Sequence, residues 1–254
     1  MVRDLQKASM WKRISAYIFD CILVITVAVG VAFLLSAVLK YDDNTYEREL
    51  LRQDYEIKHG VEFDIKEEDF RALSEDEQKR YNDAYAEFAT DPEVNRIDVL
   101  IVNLTLIIIV FGLLVPFIIF EVLIPLLFGN GQTLGKKIFG IAVMRVDGVK
   151  LSGFQLFVRS ILGKYVLETM TPVFLVLLLL FNIMAAACLL GIAILLIFQI
   201  IFILRSDLRT PIHDMIAGTV AVDLASQMIF DSPEALLEYK KKLSAEAAER
   251  AEYR

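Results

Sequence analysis

The sequence predicts an all-α membrane protein: a bundle of about four transmembrane helices with an extracytoplasmic helical insert and a small cytoplasmic β element. Three observations predict it. The chain is 56% hydrophobic with a mean hydropathy of +0.54, and its apolar residues fall in long runs at 14–39, 99–128 and 165–204. Each run reaches the ~20 residues that a helix needs to cross a bilayer. The net charge of −7 is local: residues 41–97 hold 18 acids and 8 bases, a net of −10, while the rest of the chain is +3. The bases of residues 1–13, of 129–160 and of the start of the tail fall in segments that four crossings place on one side.

The elements follow in order. Residues 1–13 carry Arg3, Lys7, Lys12 and Arg13 against Asp4, which argues for a cytoplasmic N-terminus. Trp11 and Tyr17 bracket the membrane entry, where amphipathic rings prefer to sit. The first run is longer than the ~7–15 residues of a signal core and lacks a small-x-small cleavage site, so it reads as a retained helix. Past Lys40 a helix over 45–58 stops at Gly60. Ser74-Glu-Asp-Glu77 has the form of a capping box and starts a second helix over 74–89, which Asp91-Pro92 ends. Tyr81, Tyr85 and Phe88 recur at helical spacing, so the insert is a small folded cap whose acids form a solvated face.

The run 99–128 would be ~45 Å long as one straight helix. That exceeds the ~30 Å hydrocarbon core. Pro116 supplies a kink and Pro125 an end, with Glu121 near the inner boundary. The stretch 131–148, GQTLGKKIFGIAVMRVDG, invites a phosphate-loop reading and fails it: Asn130 stands where the first glycine belongs, and Lys137 where Ser or Thr belongs. It is a cationic turn leading into an apolar, β-branched segment that ends at the turn signal Asp147-Gly148. Residues 149–164 read as an amphipathic helix at the inner interface. The run 165–204 is long enough for two spans with a turn near Asn182; one span plus a half-crossing is the alternative. Ser232-Pro233 opens a last, solvent-exposed helix.

These elements divide the chain into a cytoplasmic N-terminus with the first span (1–40), the acidic insert (41–97), the remaining membrane core (98–223) and a helical tail (224–254). Five bases against one acid in 129–160, and Arg205 and Arg209 at the start of the tail, place both termini in the cytoplasm of a multi-pass cell-membrane protein. Segments 138–144 and 216–222 share a pattern of apolar pair, glycine and β-branched strand, and so could pair as a small sheet; chance similarity is the alternative.

Three polar constellations hug the inner face: Arg13 with Asp20, GQTLGKK with Glu121, and His213-Asp214 with Gly218-Thr219. The motifs W-K-R-x-x-A-x-x-x-D (11–20), G-Q-T-L-G-K-K (131–137) and H-D-x-x-A-G-T (213–219) resemble the RDD family of membrane proteins over 8–40 and 99–223. That family is named for an arginine and two aspartates, and the resemblance assigns Arg13, Asp20 and Asp214 to them. It implies a membrane fold and, for some members, cation/proton antiport. The insert 41–97 lengthens a loop that is short in many members, so the resemblance carries nothing for it.

Arg13, Asp20, Glu121, Glu168, His213 and Asp214 are the candidate ion, proton or structural polar cluster. Arg13 and Asp20, seven residues apart, share a helix face, so Asp20 is either an ion-pair partner for Arg13 or a titrating group. His213 is either a hydrogen-bonded turn residue or a proton carrier. Lys136, Lys137, Arg159 and Lys164 are candidate contacts to anionic lipid heads. Both cysteines, Cys21 and Cys188, lie in apolar runs, and the two histidines, His59 and His213, fall on opposite sides, so no disulfide, metal site or cofactor is expected. The expected partners are the lipid bilayer, further copies of the chain, and a protein held through 41–97 or 224–254; nucleic acid is not expected. Two non-enzymatic classes stay open: monovalent-cation/proton transport, and a membrane scaffold or accessory subunit.

Overall fold

The computed structural model describes residues 6–180, 184–205 and 210–252. The turn expected at Asn182, the flanking residues Arg3, Asp4 and Arg209, and the Arg205 side chain lie outside the described set. The elements in order are α1 (Met10–Val38), α2 (Tyr41–His59), α3 (Glu67–Ala72), α4 (Glu75–Thr90), α5 (Pro92–Phe128), α6 (Leu134–Ile138), β1 (Ile141–Arg145), α7 (Gly153–Leu180), α8 (Ala185–Arg205), α9 (Ile212–Ala217), β2 (Thr219–Asp223) and α10 (Pro233–Glu252). Four of these, α1, α5, α7 and α8, are long and apolar enough to cross a membrane. Along α1, Ile18, Ile22, Ile25, Val29 and Phe33 are at least half exposed at helical spacing, a stripe suited to lipid.

The chain forms two compact units. Ala28–Leu113 contains the acidic insert. Lys40, at φ 54, turns the chain directly from α1 into α2, and Gly60, at φ 62, ends α2. Helix α2 therefore starts earlier than the expected 45, and the short α3 is an element that the sequence reading left unassigned. Ser74 caps α4 through the expected reciprocal bonds with Glu77. An aromatic cluster holds the cap: the Phe63 ring meets Tyr81 and Tyr85 edge-on at 5.8 and 5.6 Å, and Tyr55 meets Phe88 at 5.4 Å. The Tyr55 hydroxyl donates to Asp91 at 2.6 Å and that of Tyr81 to the Phe63 carbonyl at 3.1 Å. Exposed helical pairs such as Arg52–Glu49 add only ~0.2–0.5 kcal/mol each, so the rings dominate. In the same unit Gly112 lies against Ala32, a small-residue contact between α5 and α1.

Met1–Val27 together with Leu114–Arg254 forms the other unit. Here two expectations are corrected. Pro125 does not end the second apolar helix, which continues to Phe128 and stops at Gly129, φ 74. The helix passes through a π-type stretch, Ile119–Leu123, and the Glu121 carbonyl, deprived of a Pro125 N–H, accepts the Ser160 hydroxyl at 2.7 Å instead. Likewise, residues 149–164 are no separate interfacial helix. From Gly153 the chain is already in α7, which runs unbroken to Leu180, so the third span begins earlier than 165. Helix α8 packs on α7 with Gly191 against Leu175.

The small sheet forms as the pattern suggested. β1 and β2 pair antiparallel, Ile141 opposite Asp223 and Arg145 opposite Thr219. Asp147-Gly148 turns the chain after β1, with Gly148 at φ 94. Period-two alternation splits the sheet into two buried faces. Ile141 and Ala221 pack on Ala8 and Ala16 at the start of α1, whereas Ala142, Met144, Val220 and Val222 pack with Ile229. The N-terminal segment extends the sheet, Lys7 bridging to Val222.

Helix α6 docks on α1 through Gly135, where an added Cβ would lie 2.4 Å from the Ala16 carbonyl oxygen. Gly135→Ala is therefore expected to lower the thermal midpoint of the detergent-purified protein markedly. Gly30→Ala, on the same α1 but with open space at its Cβ, should be neutral or raise stability by ~0.5–1 kcal/mol. Equal effects would refute the tight α1–α6 approach.

Candidate functional site

The site forms in the larger unit where the start of α1, α6, the first half of α7 and α9 converge on a cavity of about 280 Å³. Helix α7 supplies a polar stripe, Gln155, Arg159, Lys164 and Glu168, at intervals of four, five and four. An α-helix of ~3.6 residues per turn would fan these around its axis. The π-type bonding of Val158–Met170 widens each turn and keeps them aligned. Thr169 and Thr171 donate to the carbonyls five residues back, at 2.9 Å each. Gln155, Arg159 and Glu168 all reach the segment 213–217. Gly163 permits the approach: a Cβ there would stand 2.6 Å from the His213 Cβ.

Arg159, 1% exposed, is the centre. Its Nε donates to Asp214 Oδ1 at 2.6 Å, and Nη2 lies 3.3 Å from His213 Nε2. Asp214 Oδ1 also accepts the Thr219 hydroxyl at 2.8 Å. His213 Nδ1 faces Glu168 Oε2 at 2.8 Å, and its backbone N–H donates to Glu168 Oε1 at 3.1 Å. Arginine can only donate, so the network assigns Nε2 as acceptor and the single ring proton to Nδ1. Burial lowers the affinity of His213 for a second proton, with Asp214 opposing. Burial pushes the Asp214 carboxyl up, but Arg159 beside it outweighs this and holds it well below the usual carboxylate range.

A second network joins α5, α6 and α1. Lys164 Nζ donates to Glu121 Oε1 at 2.6 Å, and Glu121 Oε2 has no hydrogen-bond partner among the described residues. Asp20 accepts the Gly135 N–H at 2.8 Å through one oxygen and the Thr133 hydroxyl through the other. Lys136 Nζ donates to the same Thr133 oxygen at 3.2 Å. Burial, reinforced by the charge of Lys164, pushes the Lys136 ammonium down to about 7 against the pull of Glu121.

The structure thus lines one cavity with Arg13, Asp20, Glu168, His213 and Asp214 and leaves Glu121 just beyond it, paired to the lining residue Lys164. The direct partners differ from the sequence expectation. Asp20 spends both oxygens on the 133–135 turn instead of on Arg13, and Asp214 pairs with Arg159. Three candidate lipid-head contacts lie away from the surface: Lys136, Arg159 and Lys164 are buried, Arg159 and Lys164 bonded to carboxylates from other helices and Lys136 to the Thr133 hydroxyl that caps its own helix. Lys137 stays exposed, its ammonium 3.7 Å from the centre of the Phe128 ring. Sequence reasoning named Thr219, and Thr133 within GQTLGKK, without giving either a partner, and it missed Ser160. The uneven spacing of the 155–168 stripe was the one signal that could have marked Arg159 as an inward-facing residue.

Two measurements test this geometry. Asp214→Asn should cost ~3–5 kcal/mol by leaving Arg159 buried and unpaired, and Arg159→Met in the same chain should recover part of it. Simple additivity of the two losses in detergent unfolding would show that they do not interact. Lys136 folds with its proton affinity lowered from 10.5 to about 7, so the unfolded chain holds the extra proton between those values. Stability should therefore rise from pH 7 towards 10.5 and fall as pH drops through 7, and Lys136→Met should flatten that slope.

The comparisons with known proteins agree with the architecture. Neither a curated protein nor a solved structure matches the chain. The RDD family model matches residues 7–218, a span that includes the first two motifs, the third up to Gly218, strand β1 and the four helices long enough to cross a membrane. The chain belongs to the RDD family of membrane proteins.

Proposed function

We propose that the protein is a monovalent-cation/proton exchanger of the cell membrane, that both termini face the cytoplasm, that it is not an enzyme, and that the charged cavity is its ion and proton site. The observation that carries this reading is the company of Lys136. A buried ammonium with a proton affinity near pH 7 shares one cavity with the carboxylates Asp20, Glu168 and Asp214. With Lys136 protonated and His213 neutral, the lining bases Arg13, Lys136, Arg159 and Lys164 exceed these three carboxylates by one charge. Loss of the Lys136 proton brings the lining to neutrality. A cation is repelled while the proton is bound and admitted after it leaves, which is the logic of exchange. Charged groups this deep in a membrane protein are costly and mark function by default. Four spans are few for alternating access, which usually pairs two repeats, so the transporting unit would be a homodimer or larger.

One observation favours the scaffold reading. The acidic insert has its own aromatic core and exposes its acids, as a docking surface for a partner protein would. Sodium uptake into proteoliposomes containing only this protein separates the two. Uptake should rise as external pH passes through about 7 and lose that dependence in Lys136→Met. Absence of flux across the neutral range, with a stable partner co-purifying through 41–97 or 224–254, would end the exchanger reading.

A further inference from the structure

The cavity wall has a feature that cation exchange does not use. Arg159 Nη1 is buried and has no hydrogen-bond partner among the described residues, although Nε and Nη2 of the same guanidinium are engaged. An unmet donor on a buried charge costs more than an ordinary lost hydrogen bond, so a ligand atom there would be strongly favoured. None of the described carboxylates bonds to it. Asp20 accepts from Thr133 and Gly135, Asp214 Oδ1 from Nε and Thr219, Glu168 holds His213, and Glu121 Oε1 takes Lys164 while its Oε2 is itself without a partner among the described residues. The lining also carries more bases than acids, and Lys136 Nζ donates to a neutral hydroxyl, that of Thr133, at 3.2 Å.

Apart from Gln199, the remainder of the wall is apolar. Met10, Ile14 and Tyr17, successive on the face of α1, lead from the charged floor towards the exposed rings of Trp11 and Tyr17. A site that is cationic at one end and apolar along one side fits an anionic amphiphile. We propose that the cavity takes the anionic phosphate group of an acidic lipid, held by Arg159 Nη1, Lys136 and Arg13, with the lipid's apolar part along Met10, Ile14 and Tyr17. The inference does not rest on the exchange reading. A bound phosphate would add negative charge to the cavity whether or not any ion is moved.

The test uses the full chain in neutral detergent with dioleoylphosphatidylglycerol, dioleoylphosphatidylcholine or inorganic phosphate added separately, read by native mass spectrometry and thermal unfolding. The expected result is one phosphatidylglycerol retained per chain with an upward shift of the thermal midpoint. Retention should be at least about tenfold weaker in Arg13→Gln and in Lys136→Met, the loss expected for one charge-assisted hydrogen bond. Both variants spare the Arg159–Asp214 pair, and each is first checked for an unchanged circular dichroism spectrum. Undiminished retention in both would place the lipid on the outer surface of the helices and overturn the proposal. So would equal retention of phosphatidylcholine. An equal shift from inorganic phosphate alone would assign the site to free phosphate and overturn the lipid assignment. Sodium flux is not measured, so failure here leaves the exchange test standing, and the reverse.

Discussion

The buried pair of Arg159 and Asp214, 2.6 Å apart, is the joint on which the larger unit depends. As a source of net stability it is unremarkable, since the desolvation of two charges offsets most of their attraction. Its consequence lies in what it connects. Asp214 also receives Thr219, the first residue of β2, so the pair sets where that strand begins. β2 registers β1, the Ile141 carbonyl of β1 accepts the Gln132 amide, and the neighbouring Thr133 and Gly135 clasp Asp20 on α1. A continuous chain of directional bonds thus runs from the third membrane helix to the first. Apolar packing between helices in a bilayer gives little such direction, because lipid tails are as apolar as leucine.

Backbone geometry makes the charge network possible. The wide turns of α7 bring Arg159, Lys164 and Glu168 onto one side, and Gly163 and Gly135 remove the side chains that would hold α9 and α6 away. The Pro125 position shows the same economy of partners. A carbonyl stripped of its helical donor is met by Ser160 from α7, which ties the second membrane helix to the third. Irregular backbone is tolerable at membrane depth only where protein groups satisfy it, and here they do so while crosslinking helices.

The acidic insert follows a different rule. Its cohesion comes from rings, with Phe63 meeting two tyrosines edge-on and Phe88 buried among them, while its many carboxylates remain hydrated. Mutual repulsion of those acids is tolerable because water and salt screen them. The insert could therefore become highly negative without disturbing the membrane-embedded network, which relies on nearly balanced charge.

Sequence alone pointed to the class, to about four helices of membrane-crossing length, to the insert as a folded helical cap, to a pairing of the two β-branched segments beside chance similarity, and to the family through three motifs. These are legible because hydropathy, capping residues and period-two strands act locally, within a few residues of one another. It also named six of the ionisable residues around the cavity. It did not determine who pairs with whom. Arg159 and Lys164 read as surface bases because a single sequence cannot reveal that their partners arrive from residues 214 and 121, and Lys136 because it cannot reveal that other elements bury it. Nor could it foresee that α7 begins at Gly153, since that depends on a polar stripe matching a π-type helix and not an α-helix. Only the tertiary structure decided these points. Burial and charge pairing depend on distance in space, and charged partners such as Lys12 and Asp223 stand as far as 211 positions apart in the chain.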